Sequence, residues 1–307
     1  IQKISPKIYD LYNSVGYAWW HPNGRFIVFS TNSVNGRDVN QQSMHLINGA
    51  DSKSDLLVYD IDNNAFYTDS LVFNSKYWES YPTWAPDGKT IYYCRARAID
   101  AKNHDDLTHI QYNLMKVEFD IETHTWSTPE TVIDAVSMNR SIAFPRISPD
   151  GRFLMYTLYD YGVFSIFRRI SDLATYDISK QETQMLDMIN TPETDSYHSW
   201  SSNGKWVVFT SKYPDGECGR PHIAYMDAQS GQASKAFILP QKDPAFYNRF
   251  ILSYNLPELY HTPNTFSPYS LIKATQQPGI PATVKEGPGT DSYHKKKTEK
   301  TSLWRAG

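Results

Sequence analysis

Apolar and polar positions repeat along the chain as a unit. Four segments align without gaps: WHPNGRFIVFS from Trp20, WAPDGKTIYYC from Trp84, ISPDGRFLMYT from Ile147 and WSSNGKWVVFT from Trp200. Each has a large apolar residue, two spacers, Asn or Asp, a glycine (Gly24, Gly88, Gly151, Gly204), a basic residue and an apolar or aromatic stretch. Asn-Gly and Asp-Gly tolerate the positive φ of a tight hairpin, and Pro22, Pro86 and Pro149 pre-set the turn. The stretches Phe26–Phe29, Ile91–Tyr93, Phe153–Tyr156 and Trp206–Phe209 are nearly continuous and apolar. That pattern predicts strands buried on both faces.

A second hairpin follows each first one: LLVYDIDNNAFY at Leu56–Tyr67, LMKVEFDIETHTW at Leu114–Trp126, LATYDISKQETQML at Leu173–Leu186 and HIAYMDAQSGQAS at His222–Ser234. An aspartate recurs ahead of its polar turn, at Asp60, Asp120, Asp177 and Asp227. The distance from turn glycine to aspartate shrinks along the chain while the strands keep their length. The loop between second and third strands must therefore shorten.

Two hairpins make four antiparallel strands in roughly 50–60 residues, which is one propeller blade. A single such sheet leaves both faces bare, so several must stack around an axis. Four gapless matches, each followed by the same second hairpin, argue against a β-sandwich with coincidental turns. The prediction is an all-β propeller within residues 1–258, with four complete blades near 12–73, 78–133, 138–187 and 194–240. Residues 1–9 are expected to form a strand of an incomplete blade whose remainder is missing or supplied by the C-terminal segment. Residues 259–307 leave the repeat, are rich in Pro, Gly and Lys, and read as a solvated tail.

Composition narrows the function. The chain has 307 residues, 40 % hydrophobic and 21 % charged, enough to build a core. Aromatics at 14 % favour β structure. A net charge of −3, with the charges dispersed, removes the electrostatic case for nucleic-acid binding. The longest apolar runs are too short to span a bilayer as a helix. Cys94 and Cys218 form neither a disulfide framework nor a zinc spacing. Ile1 stands where a signal peptide would begin, so location is not legible from the N-terminus.

The turn units resemble the repeat of TolB-like β-propellers and differ from WD-repeats, because no Gly-His or Trp-Asp pair closes a blade. More narrowly, FPRISPDGRFLMYTLYDYG (Phe144–Gly162), SYHSWSSNGKWVVFTS (Ser196–Ser211) and LPQKDPAFYNRFILSYNLPE (Leu239–Glu258) resemble TolB-like proteins of Bacteroidetes, over about residues 1–260. Members of that group carry more chain upstream, with a further hairpin near a Cys-x-x-Cys-His motif. This sequence has neither, which fits a start partway into a propeller and removes any basis for a c-type haem. The resemblance implies a periplasmic or outer-membrane-associated location and a protein or glycan partner of the cell envelope.

Propeller geometry sorts the candidate residues. The Pro-Asp-Gly turns lie on one face, and the inter-blade connections and second-to-third-strand loops lie on the other. That loop face should carry Arg37, Asp38, Tyr81, Arg95, Arg97, Asp100, Arg140, Tyr159, Asp160, Tyr161, His198 and Arg220. Mixed charge with aromatics suits a polar small molecule, a glycan or a protein loop. The longest loops, Asn32–Ser54 and Ala96–His109, place any recognition surface above blades one and two, reaching inward to Tyr81 and His198.

His104-Asp105-Asp106 with His109 is the densest ligand-like cluster for a divalent ion. Its histidine spacing matches no established site, and no cofactor is expected. G-x-S-x-G, a P-loop and a dinucleotide fingerprint are all absent. Asp38, Asp100 and Asp160 could converge as glycosidase carboxylates, so a carbohydrate-active or metal-dependent hydrolase is the rival to a non-enzymatic binding scaffold. Cys94 aligns with Ser30, Thr157 and Thr210 and reads as a small buried residue.

Overall fold

A computed structural model describes residues 4–6, 14–34, 51–99, 109–254, 256–260, 262–263 and 265–287. The strands are β1 (Ile4–Pro6), β2 (Ser14–Trp20), β3 (Phe26–Val34), β4 (Asp51–Asp60), β5 (Ala65–Thr68), β6 (Tyr77–Trp84), β7 (Thr90–Arg97), β8 (Asn113–Asp120), β9 (Thr125–Trp126) and β10 (Glu130–Ile133). They continue as β11 (Ser141–Ile147), β12 (Phe153–Tyr159), β13 (Ser171–Asp177), β14 (Glu182–Met185), β15 (Asp195–Trp200), β16 (Trp206–Ser211), β17 (Arg220–Tyr225), β18 (Phe237–Ile238) and β19 (Ile280–Glu286). The fold is the predicted all-β propeller. Blade one is β2–β5, blade two is β6–β8 with β10 (β9 pairs with β8), blade three is β11–β14 and blade four is β15–β18, all antiparallel.

Two local devices build every blade. At the first turn, Gly24, Gly88, Gly151 and Gly204 all take φ between +68° and +76°, while Asn23, Asp87, Asp150 and Asn203 each accept a backbone N–H two residues on. At the second turn, the recurring aspartates accept backbone N–H groups two and three residues on, as at Asp120 from Glu122 and Thr123. The residue four after each aspartate is left-handed: Asn64, His124, Gln181 and Gly231.

A third device sits in the innermost strand. Tyr17, Tyr81, Phe144 and Tyr197 each lie seven residues before a turn glycine and have φ between +53° and +57°. Each marks a bulge, where the pairing register shifts between Gly16 and Trp19, Ser80 and Thr83, Ala143 and Arg146, and Ser196 and Ser199. The bulge turns the four rings toward the axis, where they pack against one another, edge to face for Tyr17–Tyr81 and Phe144–Tyr197 and tilted for Tyr81–Phe144. Centroids are 4.4 Å apart for Tyr17–Tyr81, 4.3 Å for Tyr81–Phe144 and 4.8 Å for Phe144–Tyr197.

Blades stack through apolar side chains. Phe26, Val58, Trp84, Tyr93 and Phe119 fill the junction of blades one and two, and Met155, Leu173, Val207 and Phe209 that of three and four. Position within the ring decides exposure. Trp84 and Trp20 are equivalent in the repeat, yet Trp84 is 2 % exposed against blade one and Trp20, on a flank that no described blade covers, is 57 % exposed.

The two chain ends depart from expectation. β19 pairs in parallel with the outer strand β5, Thr283 opposite Ala65, and β1 pairs in parallel with β19, Ile4 opposite Ile280. Residues 4–6 therefore extend blade one, through a C-terminal strand, rather than seeding a separate blade. Residues 280–286 are likewise a strand and not solvated tail, because the open edge of β5 offers free backbone donors and acceptors. Among the described residues, no helix is long and apolar enough to cross a membrane.

Candidate functional site

Because each blade runs up and down four times, its second-to-third-strand loop and the connection to the next blade emerge together. On blades two and three these segments form one rim. Arg95 and Arg97, two residues apart in β7, share a face of the strand but differ in burial. Arg95 turns inward, with Nε 3.1 Å from the buried Glu79 carboxylate, Nη2 donating to the Leu71 carbonyl (2.8 Å), and its guanidinium 4.7 Å from the Tyr77 ring. Burial pushes the Glu79 carboxyl well up, against the pull of Arg95. Arg97, more exposed, borders with Arg95 an open cavity of about 600 Å³, along with Tyr77, His109, Gln111, Asn113 and Asp134.

The rim continues onto blade three. Gln111 Nε2 donates to the Asp160 carbonyl (2.8 Å) and to Asn139 Oδ1 (3.1 Å). Arg140 pairs with the Asp160 carboxylate at 2.7 Å, with both side chains partly exposed. Arg168 covers the Tyr161 ring at 4.7 Å, and the His109 ring is 5.4 Å from the same tyrosine. Two loops and one inter-blade connection are thus tied together. Their surface offers guanidinium, imidazole, amide and carboxylate groups beside an aromatic ring, a set suited to hydrogen-bonding a polar partner.

Other predicted site residues hold this rim from within. Tyr81 is fully buried and its hydroxyl donates to the Val163 carbonyl (2.5 Å). Tyr159, also buried, donates to the Gly162 carbonyl (2.8 Å). Both rings fix the loop of blade three from below and are not at its surface. His198 is enclosed with Nε2 3.1 Å from the Met155 carbonyl, and burial next to Arg146 pulls its pKa down to about 3. It is a neutral core histidine. Arg220 grips both Asp215 oxygens, at 2.5 and 3.0 Å, and the Cys218 carbonyl at 3.2 Å, closing the loop of blade four on itself.

Arg37, Asp38, His45, Asp100, His104, Asp105 and Asp106 lie outside the described residues. His109 is described and exposed, and among the described residues no group of three or more His, Cys, Asp or Glu is arranged to hold a metal. Cys94 is fully buried, paired in register with Ser80. Sequence reasoning missed Tyr77, Gln111, Asn113 and Asp134. Their signal was position: each sits at or beside a strand end on the loop face, Tyr77 and Asn113 opening strands, Gln111 just before β8 and Asp134 just after β10.

A buried carboxylate stands where blade four begins. Asp195 accepts from the Thr191 N–H (2.6 Å), and burial pushes its pKa up to about 6 against hydrogen bonds from Ser211 and Thr191.

Neither a protein-family model nor a curated protein matches the chain. Solved structures do. TolB from Acinetobacter baumannii is similar at 14 % identity and a TM-score of 0.43, over 74 % of this chain and 43 % of that one. A TolB from Agrobacterium tumefaciens, described as putative, is similar at 14 % and 0.46, over 76 % and 67 %. An oligogalacturonate lyase from Vibrio parahaemolyticus gives 14 % and 0.47, over 76 % and 56 %. This chain spans less than half the length of the first of these. The likeness is one of fold: the chain is a β-propeller whose structural neighbours include TolB-like proteins at low identity.

Proposed function

We propose that the protein is a non-enzymatic binding module of the bacterial cell envelope, periplasmic or outer-membrane associated, that recognises a protein or glycan through its loop face. The observation that carries this reading is the open cavity beside Arg97, His109 and Gln111, continuous with the Arg140–Asp160 rim. Propellers are rigid platforms whose loops are free to vary, so recognition concentrates there. The envelope location rests on the resemblance to TolB-like repeat proteins of Bacteroidetes. Glycoside cleavage needs two carboxylates flanking one bond. Among the described residues the cavity presents Asp134 alone, so the binding reading is preferred to the hydrolase.

Site-specific photo-crosslinking in the native envelope tests it. A crosslinker at Arg97 should capture a discrete partner, and one at Lys205, beside the turn glycine of the opposite face, should not. Equal capture from both faces, or none from Arg97, would sink the reading.

A further inference from the structure

We propose that the propeller axis holds a carboxylate-binding site centred on the Arg146 guanidinium, on the turn side of the packed aromatic rings. Arg146 lies two residues beyond Phe144 in β11, toward the Gly151 turn. It is 6 % exposed. Its guanidinium stacks on the Trp19 ring at 4.2 Å, a contact from blade three to blade one that skips blade two and therefore crosses the axis. This site is separate from the loop-face cavity and does not depend on the reading given to that cavity.

The molecule itself shows how enclosed arginines are paired here: partly buried Arg95 lies against the Glu79 carboxylate, and buried Arg220 holds Asp215. Arg146 is as enclosed as either, yet among the described residues no carboxylate lies within ion-pairing distance of it. Among the described residues its one side-chain hydrogen bond runs from Nη1 to the carbonyl of its own neighbour Pro145, at 3.1 Å. A guanidinium carries five N–H donors, and enclosing its charge without a partner is costly. Burial pulls its pKa to about 10, which still leaves it charged at neutral pH.

The surroundings define the missing partner. Trp19 covers one face of the guanidinium, so the free N–H groups point in the plane, the geometry that a planar carboxylate meets with two parallel hydrogen bonds. Thr83 occupies the equivalent position in blade two, and its hydroxyl is buried without a hydrogen-bond partner among the described residues. Ser199 occupies it in blade four and donates to the Pro257 carbonyl (2.9 Å), tying down the segment that carries Glu258. Glu258 attracts Arg146 only at a distance, and its own carboxylate is taken by the Tyr260 hydroxyl at 2.5 Å. His198 next to the site is neutral, so Arg146 supplies the positive charge.

The test uses the full chain and succinate as probe, with neutral succinamide and inorganic phosphate as controls. Following the arginine Nε–H resonances by NMR, succinate should shift the Arg146 signal saturably and raise the melting temperature. Succinamide should do neither, and phosphate should bind more weakly. Arg146→Gln should retain the far-UV signature of the wild type and bind succinate roughly tenfold more weakly or worse, the expected loss of a charge-assisted pair. If that variant does not fold, the wild-type resonance decides alone. No saturable shift of Arg146, or equal binding of succinamide or phosphate, overturns the proposal. Binding that appears only in Glu258→Gln would mean that the chain's own carboxylate fills the site, and would overturn it as well.

Discussion

The ring of Tyr17 in blade one lies 6.0 Å from the ring of Phe144 in blade three. Tyr81 of blade two packs against both, so three blades meet through one aromatic cluster. None of these rings could reach the axis from a regular strand, because alternation would turn it into a blade face. A left-handed residue in each inner strand redirects it. That backbone is strained for a bulky side chain, and the mutual packing of the rings offsets the strain.

Glycine substitutions should separate backbone strain from crowding. Gly24 (φ +73°) has open space around an added Cβ, whereas at Gly231 (φ +71°) the Cβ would sit 2.4 Å from Phe153 of the neighbouring blade. Gly24→Ala is expected to cost about 1 kcal/mol, the left-handed penalty alone. Gly231→Ala adds overpacking of about 1–3 kcal/mol. Urea unfolding of the two variants gives the comparison, and equal losses would contradict it.

The recurring aspartates should not be equivalent. The Asp60 side chain is fully enclosed and accepts from Asp62 N, Asn63 N, Asn63 Nδ2 and Arg25. Asp60→Ala strands those donors and is expected to cost about 2–3 kcal/mol. Asp120→Ala removes the same turn bonds at an exposed site, where water replaces them, and should cost clearly less. Chemical denaturation of both variants would show the order.

Two buried groups should give stability opposite pH slopes. The folded pKa of Asp195 is raised from 3.8 to about 6, so its contribution is full below about pH 4 and is lost as pH rises through about 6. The folded pKa of His198 is lowered from 6.5 to about 3, so its contribution is present above about pH 6.5 and is lost as pH falls. Asp195→Asn should therefore gain on the wild type at pH 8, by up to ~3 kcal/mol, and lose that gain by pH 4.5. His198→Gln should gain at pH 5 and not at pH 8. Thermal melts across this range check both signs, and parallel profiles for wild type and variants would refute them.

Arg140 and Asp160 form an exposed pair, worth less than about 1 kcal/mol to the fold. Arg140→Ala should leave the melting temperature nearly unchanged while weakening the partner captured at Arg97. A large drop in melting temperature with binding intact would make the pair structural.

What the sequence revealed follows the range of each interaction. The turns at Gly24 and Asp60 were legible because their chemistry is local: a positive-φ glycine, or a carboxylate reaching the next N–H groups. The inner-strand bulge left a trace, an aromatic seven residues before every turn glycine. Nothing in the propensity of Tyr81 announces a left-handed backbone, so its burial was not readable. Tyr159 stands at a strand end, where the direction of a ring depends on the loop above it, so its place in the repeat points to the surface while the fold buries it. β19 was hidden for another reason. Its IPATVKE stretch sits in a segment of tail-like composition, and its partner β5 is more than 200 residues away.

That pairing sets the order in which the molecule can be completed. Of the four described blades, synthesis delivers β2–β5 before the others, and these strands can form hairpins with their neighbours at once. The outer edge of β5 stays unpaired until Ile280–Glu286 has emerged, by which time all four blades have been made. During that interval the edge is available to other nascent chains. Among the described blades the earliest made is thus the last to be closed, and the delay between those events leaves its outer edge exposed to misassembly.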